Sequence, residues 1–136
     1  MRKPLLATKR VTFQHTIRKG TVSTSYTTVL TNVSCHETSG AQVESPGFAP
    51  SHNTEICIFP QHSQRATGED TEAATPAGST FLAPEAFRAA DETVRASHWT
   101  LAPEDKVILS SGHTGTVLRV QDNRSGHCPH WYVEVR

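Results

Sequence analysis

The sequence predicts a mainly β protein: a small barrel or sandwich of about six antiparallel strands, with one short helix and two long loops. Three stretches carry that expectation. Near the end, Val107-Ile108-Leu109, Thr116–Val120 and Trp131–Val135 are separated by Ser110-Ser111-Gly112 and by Asp122-Asn123-Arg124-Ser125-Gly126. Near the start, Val11–Ile17 alternates apolar and polar residues. Between them, Val22–Cys35 is almost wholly Thr, Ser, Val, Tyr, Leu and Cys. Alternation at period two, rich in β-branched and aromatic residues and broken by Gly, Asn, Asp and Ser turns, is the pattern of half-buried antiparallel strands.

In chain order, residues 1–10 are basic and aperiodic and read as a flexible arm; residues 11–136 read as a single β domain. The first strand should turn Val11, Phe13 and Ile17 inward. Arg18-Lys19-Gly20-Thr21 is a turn. In the second strand, strict alternation places Tyr26, Thr28 and Leu30 on one face and Val29, Thr31, Val33 and Cys35 on the other, with Asn32 marking a bulge or bend. Residues 36–53, with Gly40, Pro46, Gly47 and Pro50, read as a long loop. Glu55–Phe59 is a dense short strand ended by Pro60. Residues 61–80 hold no large aliphatic side chain, so they bury too little apolar surface to offset their ordering entropy. They read as a flexible insertion within the domain.

Over Phe81–Trp99, Pro84 suits a first helical position, and the spacing predicts a single helix of about ten residues with Phe87, Ala90 and Val94 toward the sheet. The chain then forms a meander with strands at 105–110, 115–121 and from 130 onward. Trp99, Ile108, Val117 and Val133 are expected to pack together beneath it.

The chain's 136 residues suit one domain with a real core. Its 13 basic and 13 acidic side chains cancel, with neither the basic excess nor the stripe that phosphate-backbone binders carry. No run of ~18 apolar residues suggests a membrane span, and no secretory pattern follows Met1, so synthesis and use in the cytoplasm are expected. Cys35, Cys57 and Cys128 are an odd number without a C-x-x-C pair, against a disulfide framework. His127, Cys128 and His130, or Cys35 and His36, invite a zinc site. Their spacing is wrong for one, because structural zinc takes ligand pairs separated by two to four residues, and strand neighbours face opposite ways. No cofactor and no metal are therefore expected.

Catalytic patterns are equally lacking: no G-x-S-x-G elbow, H-E-x-x-H helix, Walker loop or G-x-G-x-x-G occurs. Ser111-Gly112-His113-Thr114-Gly115 could cradle phosphate, but it lies between strands rather than before a helix, and reads as a hairpin turn. Asp105 should accept backbone hydrogen bonds where its strand begins. Asn123 and Arg124 read as turn residues, with Asn123 tolerating a positive φ and Arg124 exposed. Pro129 ends a loop. Trp131 suits the mouth of a small barrel, its indole N–H reaching a partner, and with His130 it either packs there or forms part of an interface.

Several blocks together resemble a known family. They are Trp99-Thr100-Leu101, Pro103, Asp105, Val107, Gly112, Asp122-Asn123-Arg124, Gly126 and Pro129-His130-Trp131, with Glu55–Pro60 and Phe81–Phe87 upstream. This pattern resembles minor capsid or head–tail connector proteins of tailed bacteriophages, of the head-completion or stopper-like kind. The resemblance implies a structural virion protein, not an enzyme. It would form a homo-oligomeric ring in the virion neck, between portal or adaptor proteins on one side and tail or tail-terminator proteins on the other. Such rings help close the DNA exit channel and lie close to packaged DNA. The long loops would then supply contacts that order on assembly. The alternative from another class is a small-barrel nucleic-acid-binding module, which should show a basic face with exposed aromatics.

Overall fold

The barrel closes around one long strand. In the computed structural model, which describes residues 9–39, 52–66 and 74–136, β2 (Val22–Ser39) runs for 18 residues. Along one edge it pairs with β1 (Lys9–Lys19). Along the other it pairs with β3 (His52–Ile58) and, at Leu30 and Thr31, with β4 (Gln64–Ala66). Three further strands, β6 (Lys106–Leu109), β7 (Thr114–Asp122) and β8 (Trp131–Val135), complete the ring in the order β1-β6-β7-β8-β3-β2, and the β1–β2 pairing closes it. All pairings are antiparallel. A short β5 (Ala74–Pro76) adds to β4 outside the ring. The predicted mainly β barrel is thus observed, as six closed strands with two extra.

β2 turns its corner at Asn32, whose φ is +57°, one of two non-glycine positive values among the described residues. The register with β1 steps from Val11↔Leu30 to Lys9↔Val33, so β2 carries one extra residue there. A single inserted residue reverses the alternation beyond it. Thr28 and Leu30 are therefore buried before the bulge, and Val33 is buried after it, with Cys35 packed against the same core. The expected split of Leu30 and Val33 onto opposite faces is corrected by this one residue; the bulge itself was foreseen. The corner is clamped from behind, where Ser63 Oγ donates to the Asn32 carbonyl at 2.8 Å and accepts from Phe59 N at 2.9 Å. β7 repeats the device: the register shifts between Val117 and Arg119, Leu118 is 40% exposed, and Val117 and Val120 both meet the core.

Val11, Phe13 and Ile17 face inward as expected, joined by Ile56, Ile58, Trp99, Leu101, Val117, Trp131 and Val133. In β6 the expected register is wrong by one. Val107 and Leu109 are buried and Ile108 is 39% exposed, so Ile108 does not pack with Trp99, Val117 and Val133. The pairings Val11↔Leu109 and Phe13↔Val107 fix this, because residues opposite one another share a face and β1's odd residues already point inward.

The two long loops are shorter than the sequence suggested. Residues 36–39 and 52–53 extend β2 and β3 as a ladder ending at Ser39↔His52, since backbone pairing needs no apolar side chains. The supposed flexible insertion contains β4, β5 and a 3-10 turn, Ala77–Ser79, with Ser63 and Ala77 fully buried. Small residues fit there because Gly78 lies against Pro60, where a Cβ would come within 2.7 Å. Lys9 and Arg10 belong to β1 rather than to an arm. The remainder of those expectations (residues 1–8, 40–51 and 67–73) lies outside the described residues.

The single helix expected over Phe81–Trp99 is two. α1 (Pro84–Ala89) stops at Ala90, whose ψ of 159° is extended, and Asp91 starts α2 (Glu92–Ser97) by accepting the Val94 N–H at 2.9 Å. An N-cap aspartate gains more by satisfying free amides than by continuing a helix. Phe87 is fully buried as expected, whereas Val94 is only half-buried. Arg95 fastens the pair to the barrel, donating to the carbonyls of Phe87 and Arg88 and to Tyr26 Oη.

Candidate functional site

Six of the eight residues nominated from the sequence meet at one end of the barrel. Trp99 and Trp131, each 1% exposed, lie 5.5 Å apart in a T-shaped contact, and Phe81 is 4.9 Å from both. A parallel bridge between Phe81 and Trp99 brings the linker before α1 onto this end. Over the rings lies Arg124, its guanidinium 4.8 Å from the Trp131 centroid and 5.0 Å from that of Phe81. Arg124 also forks onto Asp122 through Nε–Oδ1 at 2.9 Å and Nη2–Oδ2 at 2.7 Å. That hydrogen bond from Arg124 holds the Asp122 carboxyl below the usual carboxylate range and raises Arg124 in turn.

The loop between β7 and β8 is tied by the remaining members. Asn123 N donates to the His130 carbonyl at 2.9 Å, and the Asn123 carbonyl accepts from Gly126 N at 3.2 Å. Bonded to the Cys128 carbonyl at 2.7 Å, His130 Nδ1 must carry the proton, which leaves Nε2 to accept from Asn123 Nδ2 at 3.2 Å. Asn123 is not in the positive-φ region it was expected to use; it acts through hydrogen bonds instead. Pro129 precedes His130 at half-buried depth. The indole N–H groups differ. Trp99 Nε1 donates to the Ala77 carbonyl at 2.9 Å, whereas Trp131 Nε1 has no hydrogen-bond partner among the described residues, against expectation. Chemically this end is a staple: its cation is held by Asp122 and the rings, and both nitrogens of its imidazole are engaged.

The other two nominated residues lie apart. Gly112, at φ +94°, makes the β6–β7 turn and donates to the Leu109 carbonyl at 2.9 Å; few residues besides glycine adopt that backbone. Asp105 is 5% exposed; its Oδ2 accepts from Ala102 N at 2.9 Å, as foreseen where the strand begins. Its Oδ1 lies 2.8 Å from His15 Nδ1, a pairing the sequence reading missed. The signal was present: His15 has the same odd parity in β1 as Val11, Phe13 and Ile17, and a polar ring on an inward strand position requires a partner. His15 also packs edge-on against Phe87 at 5.8 Å. Around this pair is a cleft of about 380 Å³, lined also by Arg18, Arg88, Glu104 and Lys106.

Burial pushes the Cys35 and Cys57 thiols up from their ordinary pKa, which keeps them protonated. Among the described residues, no three His, Cys, Asp or Glu side chains are grouped to hold a metal ion, and no helix is long and apolar enough to cross a membrane. No curated protein and no solved structure matches the chain. A family match does span nearly all of it, residues 6–136, and the chain belongs to that family, DUF6751, described as a family of unknown function.

Proposed function

We propose that the protein is a structural subunit of a tailed-phage virion, a ring-forming head–tail connector or head-completion protein seated between the portal complex and the tail. The observation that carries this reading is where the resemblance residues go. Trp99, Asp105 and Trp131 are at most 5% exposed, and Asn123, Arg124 and His130 spend their polar groups on fastening the same barrel. A motif consumed in holding a rigid wedge together suits a scaffold that binds through its outer surface. The barrel's closure suits it too, because pairing β1 with β2 leaves fewer strand edges open to unplanned pairing than an open sheet would. In this reading, partners on the head side are portal or adaptor proteins and those on the tail side are tail or tail-terminator proteins; the protein resides in the neck of the virion and in host cytoplasm during assembly. The test is a phage lacking the gene. Heads should assemble and fill, then leak DNA or fail to acquire tails; normal virions would refute the proposal.

One observation bears on a nucleic-acid-binding barrel as a second reading: Arg18, Arg88 and Lys106 line the His15 cleft, together with the carboxylates of Glu104 and Asp105. That reading requires tight, steeply salt-dependent DNA binding by the free protein, whereas the connector reading requires only weak binding at physiological salt.

A further inference from the structure

A different place, beside α2, holds polar groups that the fold leaves unused. Arg65 on β4 donates through Nη1 to the Ser97 carbonyl at 3.0 Å and through Nη2 to the Ala96 carbonyl at 3.4 Å. Two of its five N–H donors are thereby used. Its Nε is buried and has no hydrogen-bond partner among the described residues, and Arg65 forms no ion pair among them. Thr75, directly opposite Arg65 on β5, and Thr80, just past the 3-10 turn, each bury a hydroxyl that likewise lacks a partner. All three residues line one cleft of about 620 Å³, whose apolar wall includes Val29, Ala66 and Ala96. A buried polar group without a partner is costly, so folds seldom gather three of them around one space without use.

We propose that this cleft is a binding site for a carboxylate, with Arg65 supplying the charge and an N–H donor and the Thr75 and Thr80 hydroxyls supplying two further donors. Burial without a counter-charge lowers the guanidinium's pKa, and an anion beside it would restore what desolvation removes. One charge and an apolar wall suit a monoanion with a short hydrocarbon tail. A phosphate dianion fits worse, because Arg65 is the cleft's only cation among the described residues and two backbone carbonyls already offset part of its field. The carboxylate could come from a free small acid or from a second copy of this chain. The site is independent of the connector reading and of the staple at the barrel end.

The probe is sodium butyrate, titrated at fixed ionic strength into the full ¹⁵N-labelled chain, following the Arg65 Nε–H and the Thr75 and Thr80 amides. Saturable shifts in the millimolar range are expected, with phosphate at least about tenfold weaker, the factor that about 1.4 kcal/mol brings. Thr75→Val and Thr80→Val should each weaken butyrate about 10–100-fold, the worth of one hydrogen bond to a charged group, and should leave the free protein as stable or more so. These variants carry the test because Arg65→Leu would also strip donors from two α2 carbonyls. If the Arg65 resonance moves with protein concentration before butyrate is added, and butyrate reverses the movement, the source is another copy's carboxylate and the site stands. Linear, unsaturated shifts, or a butyrate affinity in both threonine variants unchanged from that of the unmutated chain, would overturn the proposal. Phosphate binding as tight as butyrate would overturn the choice of carboxylate.

Discussion

Truncating two neighbours in β6 gives the sharpest test of the barrel's register. Leu109 is 6% exposed and faces Val11 across the β1–β6 ladder, whereas Ile108 is 39% exposed on the outer surface. Leu109→Ala removes three carbons from the core and leaves a cavity that the closed barrel can collapse around only in part; a loss of about 3 kcal/mol is expected, within the usual 2–5 for such changes. Ile108→Ala removes as many carbons at ~0.8 kcal/mol per fully buried CH₂. Two discounts apply: the side chain is partly wet already, and no enclosed cavity forms, so about 1 kcal/mol is expected. Urea unfolding followed by fluorescence reads both, since Trp99 and Trp131 are each 1% exposed and will report opening of the core. Equal losses, or a larger one at Ile108, would refute the observed register and restore the one expected from the sequence.

Three further outcomes are expected. Asp105→Ala should cost about 2–4 kcal/mol, because it strips His15 and the Ala102 amide of a buried charged acceptor at once; Ile108-sized losses by thermal unfolding would contradict the pairing. Asp122 has a folded pKa depressed by Arg124, so its contribution is present above the ordinary carboxylate pKa and lost as pH falls through the folded value. With the pair side chains 47% and 39% exposed, screening keeps that contribution below about 1 kcal/mol, and Asp122→Asn should flatten only the acid limb of the stability profile. Glu104 holds φ +78° on an exposed turn after Pro103. Glu104→Gly should therefore stabilise by up to about 1 kcal/mol in denaturant titration, and a loss would mean that its side chain contributes more than its backbone strain costs.

What could be read from the sequence was whatever period two carries: the inward set of β1, the three C-terminal strands and the short β3. Reading failed where one residue or one hydrogen bond decides. Asn32 and Leu118 each add a residue that reverses the faces, and only the first left a trace in residue type. In β6 the run Val107-Ile108-Leu109 is apolar throughout, so its inward residues are set by pairing with β1 rather than by composition. β4 and β5 are held by backbone pairing and by Ser63, features invisible to a search for large aliphatics. At the barrel end, both tryptophans and the turn residues Asn123 and Arg124 were nominated, whereas Phe81 and Asp122, which complete the cluster, were not. Arg124 is the exposed turn residue it was read as, and its guanidinium also lies over Phe81 and Trp131. His15, Arg65, Thr75 and Thr80 were passed over because each is unremarkable until the fold brings it beside its neighbours.

The connector reading rests on assembly, and mass measurement of the native protein, alone and mixed with the portal protein of the same phage, tests it most directly. The account predicts a ring-sized species that forms on, or is stabilised by, the portal complex. A protein that stays monomeric at every concentration and leaves the portal's mass unchanged would contradict it.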